Sequence, residues 1–393
     1  MMKPTFPEQS SKLKKLLMCL KMKLEKFKLE DFFEKYEFKV RYLLCASDCE
    51  SFTIGELLDL EDNADLRLKQ HWLGYTESPG SPTLRLEISK LYHNIDPEDI
   101  IVFSGAEEGI FVFMNVYLNA GDHVIVQEPA YQSLFEVANA LGCKITQWSM
   151  NYKQDWELDI EFLENNIKEN TKCLILNFPH SPTGYLPSKK KYDEIVKIAK
   201  ERNVAIFSDE VYRFLELDPN DELPPMCDVY SKGISLGVMS KSFGLAGLRV
   251  GWIASKERPL LRNLLSLKNY TTICNSAPSE FLAMLALRNK KPILERNREL
   301  IKSNVKLLED FFNEHENVFS WVKPKGGSVA FPKLLINDDV DRFCRDLLDA
   351  KGVLLMPGTI FNYKNPHFRI GFGRKNMPIA LQHFDNYIAE NYD

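Results

Sequence analysis

The chain has 393 residues, of which 45% are hydrophobic and 27% charged, and it carries a formal net charge of −5 at pH 7. This size allows a large core split between two domains, and the acidic balance argues against wholesale nucleic-acid binding and favours a small-molecule partner. Eight cysteines without a CxxC pair indicate a reducing compartment, with neither a disulfide framework nor a metal site.

The first 30 residues carry eight lysines against three glutamates, and their apolar stretch LLMCL is too short for a signal peptide or a membrane helix. Residues 1–21 form either a loose extension or a basic amphipathic helix that lies on a membrane or a partner. We expect the loose extension, because chain termini are usually poorly held, and we expect a cytoplasmic protein without membrane attachment.

From about residue 98 the sequence alternates between short apolar runs and amphipathic helical stretches. Such alternation indicates an α/β fold with a mostly parallel sheet covered by helices on both faces. We assign residues 55–292 to this large domain. Its predicted strands are DIIVFS, HVIVQEP, KITQWSM, CLILNFP, VAIFSDEVY, GISLGVM and RVGWIAS.

After about residue 290 the pattern changes to one long helix, LERNRELIKSNVKLLEDFFNEH, followed by short strands and helices. This favours a smaller α+β domain built from residues 293–393, to which residues 22–54 contribute an N-terminal segment. In sheets like that of the large domain, ligands bind beyond the carboxyl ends of the strands. Reactive residues at those ends therefore identify the candidate site.

The turn FSGAEEGIF lies at one such end. Gly105 allows the backbone to approach a ligand closely, and the amides of Ala106 and Glu107 open a helix whose N-terminus favours an anion such as phosphate. Taken alone, this turn is more often an ordinary strand-to-helix connection.

Other strand ends carry polar or aromatic groups. Asp209 ends an apolar strand rich in β-forming residues, and Tyr212 follows it three positions later. A carboxylate at such a position either caps the next turn or needs a cation or hydrogen-bond donor beside it. Tyr131 comes after HVIVQEP and either stacks on a flat ring or belongs to the core. His180, in the rigid loop PHSPTG, favours a structural role over that of a ligand or base.

The stretch SKSFGLAGLRVGW, residues 240–252, places Lys241 directly after the strand GISLGVM and Arg249 eight residues later. A desolvated lysine forms an imine with a carbonyl group, and the planar guanidinium of arginine suits a phosphate. A surface lysine in a loop is the plainer alternative, but the uncharged neighbours argue against it.

Together these strand ends supply an imine-forming lysine, a phosphate site, a buried acid and an aromatic ring. Pyridoxal 5′-phosphate (PLP) requires this set, because its aldehyde binds a lysine, its phosphate needs amides and an arginine, and its pyridine nitrogen needs a carboxylate. The sequence therefore predicts a PLP enzyme.

On these motifs the sequence resembles the class I and II aminotransferases of PLP-dependent fold type I, from about Tyr42 to the C-terminus. The most specific motif is MSKSFGLAGLRVGW, and SDEVY and PHSPTGY agree with it in order and spacing. The resemblance implies that Lys241 is the Schiff-base lysine and proton shuttle. It also implies that Asp209 pairs with the pyridine nitrogen and that Tyr212 bonds the phenolic oxygen of the ring.

The resemblance implies further cofactor and substrate contacts. Arg249 would hold the phosphate together with the amides of the Gly105 turn, and Tyr131 would stack on the ring. Arg369, in HFRIGFGR, would clamp the substrate α-carboxylate. Tyr75, in GYTESPGSPTLR, would reach the phosphate in the partner subunit, which implies a homodimer with shared active sites.

Two positions depart from the family pattern. Ser181 stands where the family usually has an asparagine that bonds the phenolic oxygen, and Val238 stands where many members have a phosphate-binding serine. The side chain of Ser181 is shorter than that of asparagine, so it bonds the phenolic oxygen either through water or not at all. We expect Ser240 to replace the missing phosphate ligand.

The segment LLCASDCESFTIGELL corresponds to the part of these enzymes that lines the substrate pocket. Ala46 and Ser47 are the expected substrate contacts, and Asp48 either favours a basic amino group or caps the helix that starts near Ile54. This segment also resembles the capreomycidine synthase branch of the family, which acts on an arginine derivative.

The expected activity is transfer of an amino group from an L-amino acid to a 2-oxo acid. A PLP-dependent lyase or cyclase, acting by elimination or replacement, is the alternative, because the same lysine and carboxylate clamp serve both reactions. A regulatory protein on a retired enzyme fold is the least expected, since about 40 residues precede the catalytic part and these are too few for a DNA-binding domain.

Overall fold

The computed structural model of the chain describes residues 22–392, so the predicted extension, residues 1–21, lies outside the described residues. The strands are β1 Tyr42–Leu43, β2 Ile100–Phe103, β3 His123–Glu128, β4 Lys144–Ser149, β5 Thr171–Asn177, β6 Ala205–Asp209, β7 Gly233–Val238, β8 Gly251–Ala254, β9 Phe319–Ser320, β10 Val329–Ala330, β11 Lys333–Leu334, β12 Val353–Leu354, β13 Met356–Pro357 and β14 Phe368–Gly371. The α-helices are Lys28–Tyr36, Ile54–Leu58, Ala64–Lys69, Pro82–Ser89, Ala106–Tyr117, Ser133–Ala140, Ile160–Asn166, Lys189–Glu201, Met226–Val229, Arg258–Lys268, Ala277–Arg288, Lys290–Glu314, Val340–Lys351 and Met377–Asn391. Short 3₁₀ helices lie at Pro97–Asp99, Tyr152–Gln154, Pro219–Asp221, Ala246–Leu248 and Gly358–Phe361.

The central sheet has seven strands in the order β2-β8-β7-β6-β5-β3-β4. Strands β3 to β7 pair in parallel, whereas β8 runs antiparallel to both of its neighbours, β2 and β7. Most of these strands are continuous apolar runs, and β7 is buried at every position, as expected for a sheet with helices on both faces. The predicted mostly parallel α/β sheet is confirmed.

The helix Lys189–Glu201 shows why the covering helices form where the sequence predicts them. Ser188 caps its first turn by accepting a hydrogen bond from the Lys191 amide over 3.2 Å. Its buried side chains recur every three or four positions, so one apolar stripe is covered while the charged positions remain outside. The helix ends shortly before Asn203, whose φ of 58° is left-handed and incompatible with continuing it.

The strands bring several chain connections to one edge of the central sheet. β2 ends two residues before Gly105, β5 ends at Asn177, and β6 ends at Asp209. Because β8 runs the other way, its first residue, Gly251, pairs with Val238 at the end of β7. The connection between β7 and β8, which carries the motif SKSFGLAGLRV, therefore lies at the same edge.

Small sheets lie outside the central one, formed by β1 with β12, β9 with β11, and β10 with β14 and β13. Tyr42 of β1 pairs with Val353 of β12, and the Gly371 amide of β14 donates to the Leu44 carbonyl over 2.7 Å. The N-terminal segment thus pairs with the C-terminal part of the chain. These contacts support our proposal that residues 22–54 and 293–393 form one smaller domain beside residues 55–292.

Within residues 22–392, no helix is both long and apolar enough to cross a membrane, and no group of three or more His, Cys, Asp and Glu side chains is arranged to hold a metal ion.

Candidate active site

A cavity of about 380 Å³ opens at the carboxyl edge of the central sheet. It brings together side chains that lie far apart in the sequence. Gly105 and Tyr75 are the predicted site residues that do not line it. The predicted site residues that line the cavity are Ala46, Ser47, Ala106, Glu107, Tyr131, Ser181, Asp209, Tyr212, Ser240, Lys241, Arg249 and Arg369.

Lys241 follows the end of β7 and is half-buried. Its ammonium group donates a hydrogen bond to Ser47 Oγ over 2.8 Å and lies 5.9 Å from the centre of the Tyr212 ring. Gly244, with a φ of +66°, closes the following turn, and a Cβ atom there would lie 2.6 Å from the Glu50 carbonyl oxygen. The glycine therefore lets the lysine loop pack against the N-terminal segment.

Asp209 is the last residue of β6 and is 5% exposed. Burial raises the pKa of its carboxyl group to about 7, although a hydrogen bond from the Val211 amide over 3.2 Å and the positive charge of Lys241 both oppose the rise. The Asp209 carboxylate thus caps the turn that follows it, which is one of the two roles considered from the sequence, and it also lines the cavity. A buried carboxyl group of this kind ionises when a cation, such as a protonated ring nitrogen, binds beside it.

Asn177 is a cavity residue that the sequence analysis missed. It ends β5 and is 3% exposed. Its side-chain amide donates to the Asp209 carbonyl over 2.9 Å, and its side-chain oxygen accepts from the Ser181 amide over 2.7 Å. Asn177 therefore joins the loop that carries Ser181 to the strand that carries Asp209. A polar residue at the end of the apolar strand CLILN was the signal that could have identified it.

The turn between β2 and the helix Ala106–Tyr117 forms a cradle for an anion. Gly105 has a φ of +93°, and a Cβ atom there would lie 2.7 Å from Arg249 Nη2. The guanidinium group thus packs against a backbone that favours glycine, beside the N-terminus of a twelve-residue helix. These donors fit a phosphate group. With the Lys241 amine and the Asp209 carboxyl group in the same cavity, the residues fit the phosphate, aldehyde and ring nitrogen of PLP.

The two positions that depart from the family pattern also lie at this cavity. Val238 presents an apolar side chain that is 4% exposed, so it offers no donor to an anion. Ser240 is half-buried, and Ser181 is 8% exposed. Both hydroxyl groups are therefore placed to contact a ligand in the cavity, and their roles stay predictions.

Tyr131 and Glu107 form a second part of the cavity wall. The Tyr131 hydroxyl group donates to Glu30 Oε1 over 3.3 Å, and Ser133 Oγ donates to Glu107 Oε2 over 3.0 Å. Burial raises the pKa of both the Tyr131 phenol and the Glu107 carboxyl group. The Tyr131 ring also packs on Phe27, with ring centres 5.3 Å apart. These contacts limit the freedom of the ring that is predicted to stack on the cofactor.

The backbone of Ser47 is held by two side chains. Its carbonyl oxygen accepts hydrogen bonds from the Tyr212 hydroxyl group over 3.0 Å and from Ser328 Oγ over 2.8 Å. Tyr212 itself is 2% exposed. Ser47, predicted as a substrate contact, thus lies between Tyr212 and Lys241, where its hydroxyl group touches the lysine.

Arg369 lies on β14 and is 2% exposed. Its Nε and Nη2 atoms both donate to the Cys45 carbonyl oxygen, over 3.1 and 2.8 Å. Its guanidinium carbon lies 5.6 Å and 5.5 Å from the ring centres of Phe33 and Phe361. A guanidinium group fixed in this way at a cavity wall is prepared to bind a carboxylate. The strand-end pattern alone predicts a surface position for Arg369, but the structure buries its side chain.

Asp48 does not cap the helix Ile54–Leu58, so that alternative is wrong. Thr53 is the N-cap and forms a reciprocal capping box with Glu56. Asp48 instead accepts two hydrogen bonds from Arg374, over 3.1 and 2.7 Å. Its carboxylate lines the cavity but already has a cationic partner.

The helix Lys28–Tyr36 supplies a wall of the cavity that the sequence analysis also missed. Leu29, Glu30, Phe33 and Glu37 line the cavity from this side. Their positions fall on one helical face, with a spacing of one, three and four residues between successive members. The stretch KLEDFFEKYE carries this helical pattern, but nothing in the local sequence shows which partner its face packs against.

His180 is buried in the loop PHSPTG and is 1% exposed. Its Nδ1 atom hydrogen-bonds Thr183 Oγ1 over 2.8 Å, and burial lowers the pKa of the imidazole to about 3. These observations support the structural role that the sequence favours.

Tyr75 lies on the surface and is 85% exposed. Trp72 and Leu73, just before it, are each 77% exposed. The Thr76 hydroxyl group donates to the Asn275 carbonyl over 3.1 Å, which joins this segment to the loop that follows the helix Arg258–Lys268.

The chain is similar to known proteins over most of its length. The profile of the family described as aminotransferase class I and II matches residues 43–384. Capreomycidine synthase from Streptomyces vinaceus is 25% identical over 346 residues, which are 88% of each chain. An aspartate aminotransferase from Sulfolobus acidocaldarius is 28% identical over 318 residues, which are 77% of this chain and 78% of the relative.

Solved structures show the same similarity. A PLP-dependent aminotransferase from Streptococcus suis has a TM-score of 0.89 and 30% identity, and the alignment covers 94% of this chain and 99% of that one. A PLP-dependent cyclase, OrfR, has a TM-score of 0.86 and 26% identity, covering 94% of this chain and 98% of that one.

Proposed function

The chain belongs to the class I and II aminotransferases, and from this premise we propose that it transfers an amino group from an L-amino acid to a 2-oxo acid. It is a PLP-dependent enzyme, and its cofactor is pyridoxal 5′-phosphate. The observation that carries the proposal is that Lys241, Asp209 and Arg369 line one cavity. An amine, a buried acid and a carboxylate-binding group are the side chains that this reaction needs in one place.

The cofactor would be held at three points. Arg249 and the amides at the start of the helix Ala106–Tyr117 would bind its phosphate, because both face the turn at Gly105. Asp209 would bind the ring nitrogen, and Tyr131 would cover one face of the ring. Ser240 is the proposed additional phosphate ligand in place of the apolar Val238.

Bound PLP supplies an aldehyde that captures an amino group and a ring that takes up the electron pair left at the substrate α-carbon. Asp209 favours the protonated ring nitrogen, because a buried carboxylate is stabilised by an adjacent cation. Arg369 binds the substrate α-carboxylate through its planar fork and so fixes the orientation of the α-carbon.

Lys241 has two tasks in this proposal. Its amine would hold the cofactor through the aldehyde group at rest, and once a substrate amine takes that place, the freed amine would act as the base that accepts the proton from the substrate α-carbon and as the acid that gives it up again. The Ser47 hydroxyl group, 2.8 Å from Nζ, is placed to keep the freed amine in the cavity. Tyr212 would bond the phenolic oxygen of the ring, and Ser181, whose side chain is shorter than the usual asparagine, would reach that oxygen only through water.

A lyase or cyclase that uses the same cofactor is the second candidate. The similarity to capreomycidine synthase and to the cyclase OrfR favours it, as does Ser181 in place of the usual asparagine. Lys241 and Arg369 would act in the same way up to removal of the α-proton. The two reactions differ in what happens to the substrate afterwards.

We also propose a homodimer in which Tyr75 reaches the phosphate in the partner subunit. The exposure of Trp72, Leu73 and Tyr75 supports this proposal, because neighbouring exposed apolar side chains mark interaction surfaces.

The test is a half-reaction of the purified holoenzyme with single amino acids and no 2-oxo acid. Transamination must convert the cofactor to pyridoxamine 5′-phosphate, which chromatography of the released cofactor detects. Lys241→Ala should abolish this conversion. The control is Lys232→Ala, which changes the lysine directly before the first residue of β7 and should leave the conversion intact. Consumption of an amino acid without any pyridoxamine 5′-phosphate would overturn transamination in favour of the lyase or cyclase.

A further inference from the structure

The start of the helix Lys28–Tyr36 is attached to the helix Ser133–Ala140 beside the cavity. The Lys28 amide donates to Gln132 Oε1 over 3.0 Å, and Gln132 Nε2 donates back to the Lys26 carbonyl over 2.9 Å. The Glu25 amide donates to Glu136 Oε1 over 3.0 Å. These contacts hold one face of the helix as a fixed wall of the cavity that also contains Lys241.

That face combines apolar and acidic side chains. Leu29 is 5% exposed, and Phe33 lies 5.6 Å from the Arg369 guanidinium carbon, measured to its ring centre. Glu30 and Glu37 line the same cavity on either side of them in the sequence. When the α-carboxylate of a substrate binds Arg369, the side chain of that substrate therefore contacts this apolar surface and these carboxylates.

The positive groups of the cavity have other partners. Arg249 lies at the anion cradle, Arg369 donates to the Cys45 carbonyl, and Lys241 donates to Ser47 Oγ. Arg374, next to the cavity, is paired with Asp48. By contrast, within residues 22–392, neither Glu30 nor Glu37 has a Lys, Arg or His nitrogen within 4.0 Å of its carboxylate. The carboxylates of Glu30 and Glu37 therefore have no cationic partner among the described residues.

Glu37 is half-buried rather than fully solvated. Burial raises the pKa of its carboxyl group, and the negative charges of Asp48 and Glu30 raise it further, while Arg374 and Lys241 lower it. A partly buried carboxylate with acidic neighbours is costly, and a bound cation offsets that cost. Glu30 is more exposed and lies at the mouth of the cavity.

We propose that the substrate of this cavity is an amino acid with a cationic side chain, whose positive end binds Glu37 and Glu30 while its aliphatic stem packs on Leu29 and Phe33. This proposal rests on the proposed function, because it uses Arg369 as the site of the α-carboxylate. In the proposed function Lys241 and Arg369 bind the backbone groups common to all amino acids, so the acidic residues determine selectivity rather than define a site of their own. The plainer alternative, a solvated acidic rim, gives no preference among side chains.

The first experiment titrates the holoenzyme with L-arginine, L-ornithine, L-citrulline and L-glutamate and follows the absorption of the cofactor. L-Citrulline matches L-arginine in shape but is neutral, so it isolates the charge. We expect L-arginine or L-ornithine to bind at least about tenfold more tightly than L-citrulline, since a charge-assisted hydrogen bond in a partly buried site contributes that much. Equal affinities for L-arginine, L-ornithine and L-citrulline, or tighter binding of L-glutamate, would overturn the proposal.

The second experiment uses a matched pair of variants. Glu37→Gln removes a carboxylate that lines the cavity, and Glu34→Gln makes the same change at an exposed position of the same helix outside the cavity. Glu37→Gln should raise the dissociation constant of the preferred cationic amino acid about tenfold and leave that of L-citrulline within about twofold. Glu34→Gln should change neither. The same loss in both variants, or in neither, contradicts the role of Glu37.

The readouts separate this proposal from the proposed function. Selective binding of a cationic amino acid without formation of pyridoxamine 5′-phosphate would support the selectivity and overturn transamination. Formation of pyridoxamine 5′-phosphate with L-glutamate but with neither L-arginine nor L-ornithine would do the reverse.

Discussion

The Lys241 ammonium group donates a hydrogen bond to the Ser47 hydroxyl group over 2.8 Å, and this contact joins the end of β7 to the N-terminal segment. The Ser47 carbonyl is held in turn by Tyr212 and Ser328. Ser47 is therefore fixed from both sides, and its hydroxyl group has a defined direction relative to the lysine. We infer that Ser47 positions Lys241, in addition to its predicted contact with the substrate.

Replacing Ser47 with alanine tests this inference. Ser47→Ala should lower kcat about tenfold, because one hydrogen bond to a charged amine contributes about 1.5 kcal/mol. Cofactor affinity should change little, since the bond to Ser47 is made by the lysine itself. Ser51→Ala, at an exposed position outside the cavity, is the matched control. A higher KM with unchanged kcat would instead assign Ser47 to substrate binding alone.

The buried carboxyl group of Asp209 predicts a pH dependence of stability. Its pKa of about 7 in the folded chain lies above the ordinary value of about 4. Between these values the folded state binds a proton that the unfolded chain releases, so this group lowers the free energy of unfolding as the pH rises through the window. The cofactor-free Asp209→Asn variant should thus gain stability over the cofactor-free wild type as the pH rises from about 4 to about 7, by on the order of a few kcal/mol in total.

Thermal unfolding of both cofactor-free proteins at several pH values measures this difference. Glu216→Gln provides the control, because burial also raises the pKa of Glu216 to about 7 but the residue lies outside the cavity. Both variants should show the same trend in stability, and only Asp209→Asn should weaken cofactor binding. A constant stability difference across the pH range would contradict the raised pKa of Asp209.

The large sheet could be predicted from the sequence because most of its strands are short apolar runs and several of them are followed by a helix with one apolar face. Because parallel strands have their carboxyl ends at the same edge of the sheet, the position of the candidate site could also be predicted. Asp209 and Lys241 line one cavity at that edge, as expected. Arg369 was different, since its burial depends on contacts with Cys45 and Phe33, which are more than 300 residues away in the sequence. No local pattern encodes such contacts, and only the family resemblance indicated its role.

The substrate side of the cavity could not be predicted for a related reason. Glu30 lies on the helix Lys28–Tyr36 and Glu37 directly follows it, and this segment is held in place by contacts with distant residues such as Gln132. Asp48 was equally ambiguous, because its partner Arg374 is 326 residues away. Charged residues on a short helix are usually solvated, and only the packed structure shows which of them face a cavity.

Arg369 offers a test of carboxylate binding. Arg369→Lys keeps the positive charge but removes the planar fork, so we expect the KM for the amino acid to rise about a hundredfold. The absorption of the bound cofactor should stay unchanged, because Arg369 does not contact the anion cradle. Arg345→Lys, on the exposed side of the helix Val340–Lys351, is the control and should have normal kinetics. A change in kcat without a change in KM would contradict the proposed clamp.

The proposed homodimer is the last prediction. Trp72, Leu73 and Tyr75 are exposed next to one another, and Tyr270, on the neighbouring loop, is 87% exposed. Leu73→Glu places a charge in this patch and should convert the dimer to a monomer in sedimentation analysis, because burying an unpaired charge costs several kcal/mol. Phe38→Glu is the matched control, since Phe38 is 92% exposed but lies on a different segment.

Tyr75→Phe separates assembly from cofactor binding. Removing one hydroxyl group should leave the dimer intact and raise the dissociation constant of PLP about tenfold, because one hydrogen bond to a charged phosphate is lost. Equilibrium titration of the cofactor-free variant with PLP measures this change, and sedimentation measures the assembly. Normal PLP affinity in an intact dimer would contradict the contact between Tyr75 and the partner's phosphate, whereas a monomeric wild-type protein would contradict the dimer itself.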